Sequence, residues 1–383
     1  MKILHLYSDW KWTGPAEPVL QMCHGLQERG HDVQIAYSAA PRDEEETVGK
    51  KVKSYHLNGT EAFALDRHIP PRKTLNDFLT LPRYISTEKV DIVHTHLTHD
   101  HAFGGLCVKR LGGNRPTLVR TLHRRSVLKN TLGNRILLKR LTDAWLTFTP
   151  AFRQTYIERF RLPPDRVGIQ PLTIDTERFN PAHGFRDMRK EFDIPADAPL
   201  IGIVGRYQKY RKMDIFLPAA QRVLSEVPEA HFLVIGRSSQ MEKTVVTPSV
   251  DLGIRDRIVL PGYRIEDYAD TLACLDIFTL LMPGFDGTAR AVREALALGI
   301  PCVVSDFGML PEIVHHGETG LVSPMEPDAL AERWLRLIRD RDARLRMGKE
   351  ARRDAVERFR MGAVGPSLEG FYHRITNSQN VPS

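Results

Sequence analysis

Cysteine is scarce: Cys23, Cys107, Cys274 and Cys302 are the four in 383 residues, far apart and with no C-x-x-C pair. That spacing argues against a disulfide framework or a cysteine-held zinc site and fits scattered reduced thiols. Long hydrophobic runs are missing too, since the apolar stretches are strand-sized and far short of the ~20 residues that span a bilayer. The opening Met1-Lys2-Ile3-Leu4-His5-Leu6-Tyr7 soon meets Asp9 and Lys11, and no A-x-A-like site follows. Neither signal peptide nor membrane anchor is expected, and the chain reads as cytoplasmic. There is no Pro/Gly/Ser-rich tract of the kind that stays disordered, and no repeat of solenoid period.

Acidic residues are absent between His101 and Thr142, where Lys109, Arg110, Arg115, Arg120, Arg124, Arg125, Lys129, Arg135, Lys139 and Arg140 crowd together. Leu128, Leu132, Ile136, Leu137, Leu138 and Leu141 interleave with these cations at roughly helical spacing. Two readings stand open: a helix whose basic flank meets an anionic membrane surface through 124–140, or a solvated basic face on a core helix.

What is present is the composition of an ordinary globular enzyme, 42% hydrophobic and 26% charged. Its length exceeds what one core usually serves, so two domains are expected. Short β-branched runs alternate with amphipathic segments: Lys2–Tyr7, a helix over 17–29, Asp32–Tyr37, then strands at 90–94, 117–122 and 145–149. A second series has strands at 200–204, 231–235, 257–260, 277–281 and 301–304, and helices over Pro327–Arg339, Arg341–Phe359 and 366–375. The pattern predicts an α/β chain of two Rossmann-like, doubly wound domains facing each other across a cleft. Pro/Gly punctuation at 179–184 and 194–199 marks the join. The expected division is a first domain over 1–185 and a second over 186–365, with a last helix, 366–383, packing back on the first. In such sheets, ligands sit at the carboxyl ends of the strands, so function is sought in the loops there.

Three of those loops carry candidate chemistry. In the first, Gly14 stands just before a helix, where free N–H groups and the helix dipole favour a phosphate, although Pro15 removes one donor. No G-x-G-x-x-G accompanies it. In the second, the strand Ile201-Gly202-Ile203-Val204-Gly205 runs into Arg206, Lys209, Arg211 and Lys212; an Arg fork and Lys point charges suit a diphosphate without metal, while a solvated loop is the competing reading. In the third, Asp286 and Glu294 flank a helix entrance that offers the N–H groups of Gly287, Thr288 and Ala289. Those groups suit sugar hydroxyls or phosphate, and Glu294 suits a ribose diol. An N-cap Asp with an exposed helical Glu is the alternative.

These motifs together resemble the family-4 retaining glycosyltransferases of GT-B architecture, over nearly the whole chain. The resemblance rests on Gly14-Pro15-Ala16-Glu17, Glu28-Arg29-Gly30-His31-Asp32-Val33, Asp91-Ile92-Val93-His94-Thr95-His96 and Thr121-Leu122-His123 in the first half. Ile174-Asp175-Thr176-Glu177-Arg178-Phe179, Gly205-Arg206 with Lys212, the pair Asp286 and Glu294, and Pro311-Glu312-Ile313-Val314 with Gly317-Glu318-Thr319-Gly320 complete it.

The resemblance implies that Arg206 and Lys212 contact the donor diphosphate and Gly14 closes against it. It further implies that Glu294 holds the ribose, that the backbone around Tyr263 and Arg264 after Gly262 holds the base, and that His123 lies beside the reacting sugar. Asp286 replaces the family's first Glu, and Pro15 its second loop Gly. Arg211 takes the place of Lys212 if the loop is one residue tighter.

The reaction implied is metal-independent transfer of a sugar from a UDP- or GDP-sugar to a hydroxyl of a glycan or lipid-linked envelope acceptor, with retention and no cofactor. His94, His96, His99 and His101 beside Asp100 invite a metal reading, which that chemistry does not need. A nucleotide-sugar epimerase, a non-catalytic nucleotide-sugar-binding protein and a nicotinamide-dependent oxidoreductase compete with the transferase, and the missing glycine fingerprint argues against the last.

Overall fold

The computed structural model describes residues 1–65, 71–124, 126–170, 172–284 and 289–377. Two parallel sheets organise them. The first holds β1 (Lys2–Tyr7), β2 (Asp32–Tyr37), β3 (Asn58–Thr60), β4 (Ile92–Thr95), β5 (Thr117–Thr121), β6 (Ala144–Thr147) and β7 (Val167–Ile169) in the order β3-β2-β1-β4-β5-β6-β7. The second holds β8 (Leu200–Gly205), β9 (His231–Gly236), β10 (Ile258–Gly262), β11 (Ile277–Leu280), β12 (Cys302–Ser305) and β13 (Gly320–Ser323) in the order β10-β9-β8-β11-β12-β13. Both are Rossmann-like, because each order reverses next to its first strand, between β1 and β4 and between β8 and β11. That reversal opens a crevice at the carboxyl ends of the central strands.

The central strands are buried on both faces because helices cover both. Leu4, Leu6, Val93 and Leu118 pack with Leu81 and Ile85 of the helix Pro71–Thr87 and with Phe103, Cys107 and Val108 of the helix Thr98–Lys109. The other face of β1 carries His5 and meets the C-terminal helix Val364–Asn377, whose Tyr372 hydroxyl lies 2.7 Å from Nδ1 of His94. This helix crosses the helix Ala16–Glu28 backbone to backbone. A Cβ on Gly365 would lie 2.2 Å from the Gly25 carbonyl oxygen, so neither position has room for a side chain. Glu369 adds an ion pair to Arg29 at 2.7 Å.

The compact units are the chain to Thr173 together with the segment from Met361, and Ile174–Arg360. The division falls at 173/174, earlier than the 185/186 read from Pro/Gly punctuation. Packing explains the difference: the Ile174 N–H bonds the Phe359 carbonyl at 2.8 Å, and Arg352 donates to the carbonyls of Thr176 and Phe179. The punctuated stretch is therefore already part of the second unit. In that unit Trp334 is buried against Phe216 and Phe232 and donates its indole N–H to Thr279 Oγ1 at 2.9 Å. Among the described residues no helix is long and apolar enough to cross a membrane.

Candidate functional site

In the first unit, register and strand period assemble a histidine cluster. His5 pairs with His94 and His94 with Val119 across adjacent parallel strands, so their side chains share one face. A period of two carries that face on to His96, Thr121 and His123. All the histidines in this set are buried. His5 Nδ1 lies 2.9 Å from His96 Nε2, and His96 Nδ1 lies 3.2 Å from His123 Nε2. His94 spends both nitrogens locally, on Tyr372 and on Thr121 Oγ1 at 2.7 Å each. Burial pulls His5 and His123 down to about 3 and His94 and His96 well below their ordinary value, so the cluster is neutral at pH 7.

Asp100 fixes the loops beneath this cluster. Its carboxylate accepts the N–H groups of Ser8 at 3.0 Å, His96 at 3.1 Å and Leu97 at 2.8 Å, and pairs with Arg120 Nη1 at 3.3 Å. Arg120 also donates to the Leu97 carbonyl. Burial pushes Asp100 up to about 6 against Arg120 and those donors, and pulls Arg120 down to about 10, so both are charged at neutral pH.

Nitrogens of His5, His94 and His96 approach within 4.8 Å of one another, the spacing of a possible metal group. Their bonding leaves little for an ion, because among the six nitrogens His5 Nε2 alone lacks a hydrogen-bond partner. Of the four histidines the sequence clusters with Asp100, His101 turns away to Thr142 Oγ1 at 2.6 Å and His99 stacks on Phe103. Gly14 is exposed in the turn before the helix Ala16–Glu28, and Ala16 N–H bonds back to Thr13.

In the second unit, β8 ends at Gly205 beside Gly236 of β9. A Cβ on Gly236 would meet the Gly205 oxygen at 2.0 Å, and its φ is +135°, so glycine is required for the strands to finish this close together. The chain then presents Arg206 outward and buries Tyr207, whose hydroxyl sits 2.8 Å from the carbonyl oxygens of Ile203 and Ile235. Tyr207 thus anchors a loop that is otherwise cationic.

Arg211 and Lys212, alternatives in sequence, have different surroundings. Arg211 donates to the Met282 carbonyl at 2.6 Å and its guanidinium covers the α-carbon of Gly205. Lys212 takes a left-handed conformation, φ 63°, at the start of the helix Met213–Glu226. Among the described residues neither Lys212 nor Arg206 has an ion-pair partner.

Glu294, on the helix Arg290–Ala297, is only 1% exposed, unlike the exposed helical Glu of the alternative reading. Its Oε2 accepts from the Tyr268 hydroxyl at 2.8 Å and its Oε1 from Arg290 Nε at 2.6 Å. Ala289 precedes that helix with φ 46°, a conformation glycine adopts more readily. Asp286, Gly287 and Thr288 lie outside the described residues. Tyr263 is 57% exposed with the Arg237 guanidinium 4.4 Å from its ring centre. Arg264 is engaged with Glu191 at 2.8 Å and with Asp267, leaving backbone there to meet a ligand. Tyr268 and Arg237 carry no signal of their own in the sequence, because what they contact depends on which strand ends adjoin.

The basic segment forms a helix only over Leu132–Arg140, capped by Thr131, with Leu138 buried. Leu128 and Leu141 fall outside it. Leu132 and Ile136, 74% and 46% exposed, sit one turn apart on the same helix as exposed Arg135, Lys139 and Arg140. Arg125 lies outside the described residues.

Residues 13–178 match the family described as Glycosyltransferase Family 4, and residues 184–354 that described as Glycosyl transferases group 1. The chain is 23% identical over 358 residues to N-acetyl-alpha-D-glucosaminyl L-malate synthase of Bacillus anthracis, covering 91% of each. It is 24% identical to the UDP-Gal:alpha-D-GlcNAc-diphosphoundecaprenol alpha-1,3-galactosyltransferase of Escherichia coli, over 77% of this chain and 78% of that one. Its fold is similar to the crystal structure of a glycosyltransferase from Rickettsia africae ESF-5, with a TM-score of 0.83, 16% identity and 99% of each chain covered.

Proposed function

Since the chain belongs to the group 1 and family 4 glycosyltransferases and is a nucleotide-sugar-dependent transferase of GT-B fold, we propose that it moves a sugar from a UDP- or GDP-sugar to a hydroxyl of a glycan or lipid-linked cell-envelope acceptor, with retention and without a metal ion. The observation that carries this reading is the end of β8, where Arg206 and Lys212 stand without an ion-pair partner among the described residues, at the same end of the sheet as buried Glu294.

As the bond from sugar to phosphate breaks, negative charge grows on the leaving diphosphate. Two cations and the amino end of the helix Met213–Glu226 stabilise that charge more than the ground state. Glu294, oriented by Tyr268, takes the ribose hydroxyls in place of Arg290. Tyr263 and the backbone at Arg264 take the base. Gly287, Thr288 and Ala289 offer N–H groups to the donor, with Asp286 on its sugar, Gly14 closing on the phosphate and His123 beside the reacting sugar. A leaving-phosphate oxygen accepts the acceptor proton, so no carboxylate base is needed, and the cations supply the neutralisation that a metal would provide.

The E. coli relative is named for UDP-Gal and an alpha-D-GlcNAc-diphosphoundecaprenol acceptor, which supports a UDP-sugar donor and a lipid-linked acceptor here. Exposed Leu132 and Ile136 among the cations of Leu132–Arg140 support peripheral contact with anionic lipid at the inner membrane face. Sedimentation with anionic and neutral vesicles tests that contact, and equal recovery in the soluble fraction would remove it.

The deciding experiment is a panel of UDP-, GDP- and ADP-sugars in EDTA, with binding and nucleotide release read in parallel on the protein and on its Arg206→Ala, Lys212→Ala form. Release of UDP or GDP that depends on an added acceptor and is lost in the double variant is expected. Turnover restored only by metal, or rearranged donor without an acceptor, would overturn the transferase chemistry as stated.

A further inference from the structure

We infer that His5 and His96 are positioning residues that couple the tautomer of His123 to their own, the three imidazoles forming one hydrogen-bonded chain in which each carries its proton on the same nitrogen. The consequence for turnover rests on the placement of His123 beside the reacting sugar; the coupling itself does not.

The chain is read directly from the geometry. The rings of His5 and His96 are parallel within 7°, yet their centres are 5.1 Å apart while the facing nitrogens are 2.9 Å apart. That combination puts the rings edge to edge, with the bond in the ring planes, and excludes face-to-face packing. His96 continues to His123 at 3.2 Å from its other nitrogen. Both ends of the chain, His5 Nε2 and His123 Nδ1, are buried and have no partner among the described residues.

A neutral imidazole has one N–H and one bare nitrogen, so each internal bond needs one of each. Suppose His123 carries its proton on Nε2. It then donates to a bare Nδ1 on His96, which must carry its own proton on Nε2 and donate to a bare Nδ1 on His5, leaving the His5 proton on Nε2. Reversing the polarity places all three protons on Nδ1. Every mixed assignment sets two lone pairs or two N–H groups against each other and loses a buried hydrogen bond.

His123 therefore offers a bare Nδ1 only when His5 carries its proton at the far end, and an N–H only when His5 does not. A hydroxyl meeting His123 Nδ1 is thus oriented by a residue two hydrogen bonds away. Burial keeps the rings neutral, as this alternation requires.

The test is long-range proton–nitrogen NMR on full-length protein with labelled histidine, which reads the tautomer of each ring. One shared tautomer at His5, His96 and His123 is expected, with His123 becoming a mixture in His96→Phe and in His5→Phe. His5→Asn, whose amide reaches the position of Nδ1, returns a bonding partner to His96 Nε2 and should keep His96 and His123 on a shared tautomer. Different tautomers in the unsubstituted protein, a measurement that needs no variant to fold, would overturn the chain. So would an unchanged His123 in both Phe variants. In the acceptor-dependent assay His5→Phe should lower kcat about tenfold at unchanged donor KM, with His5→Asn recovering most of it. A shifted His123 tautomer with unaltered kcat would leave the chain standing and overturn the placement of His123 beside the sugar.

Discussion

The two units share a parallel-sheet plan and finish their central strands in opposite chemical states. At the ends of β1, β4 and β5 the polar groups are buried, uncharged histidines bonded to one another, with Asp100 and Arg120 neutralising each other beneath them. At the end of β8 the groups are cations, Arg206 exposed and Lys212 half-buried, on a loop pinned by Tyr207 and Arg211. One sheet end keeps a fixed hydrogen-bond pattern; the other keeps net positive charge available. Under the transfer proposed above, the difference would suit two tasks, orienting a neutral hydroxyl and stabilising an anion that appears during reaction.

The largest expected effect comes from removing the available charge. Replacing Arg206 and Lys212 together by Ala should lower turnover about 10³-fold, some 4 kcal/mol of barrier, since on the proposed mechanism each supplies charge that counts most in the transition state. Arg211→Ala sharpens the contrast. It should lower thermal stability, because Met282 and Gly205 lose their cover, and weaken donor binding much less than Lys212→Ala does. Lost donor binding at unchanged stability in Arg211→Ala would make Arg211 the phosphate cation and turn the assignment around.

Acid should break the first unit before the second. His5 and His123 have folded pKa values of about 3 against an ordinary 6.5, so the native state binds fewer protons than the unfolded chain between those values. Their stabilisation is complete above 6.5 and is lost as pH falls toward 3. Between pH 7 and 5 each accounts for a loss of about 2 kcal/mol. Asp100 acts in the opposite sense: raised to about 6, it returns about 1 kcal/mol over the same interval. The net of these three groups is a loss of about 3 kcal/mol, and His94 and His96 add to it in the same direction. Hydrogen exchange resolved by unit should show protection in β1, β4 and β5 falling between pH 7 and 5 once intrinsic rates are corrected. Equal loss in β8 and β11 would contradict the contrast.

The sequence made this division legible in part. Alternating β-branched runs located β1, β2 and the later helices Pro327–Arg339 and Arg341–Phe359 to the residue. It did not reveal β3, β7 or β13, edge strands of three or four residues each, too short for periodicity to register. A period of two by itself puts His94 and His96 on one face, but His5 joins them only through the β1–β4 register, which one sequence does not contain. The cationic loop was readable from composition, whereas the separation of Arg211 from Lys212 depends on a carbonyl seventy residues away. The buried state of Glu294 and its bond to Tyr268 belong to the same class of information.

The smallest effect concerns the backbone that leads into Glu294's helix. Ala289 sits at φ 46°, ψ 41°, a conformation that costs a residue with a Cβ roughly 1–2 kcal/mol relative to glycine. Ala289→Gly removes that cost but also loses a methyl group that is 5% exposed, worth about 0.8 kcal/mol, and gives the unfolded chain more freedom, worth about 0.4–1 kcal/mol. The terms nearly cancel, so urea unfolding should move by less than about 1 kcal/mol and donor binding should persist. Ala289→Val removes the cancellation: a β-branched side chain is strained at this φ and should destabilise the second unit by about 2 kcal/mol or more, weakening nucleotide binding at Glu294 without altering the histidine tautomers. If valine were tolerated as well as glycine, the left-handed turn would not be what sets the start of this helix, and the second unit's site would owe its geometry to side chains, as the first unit's does.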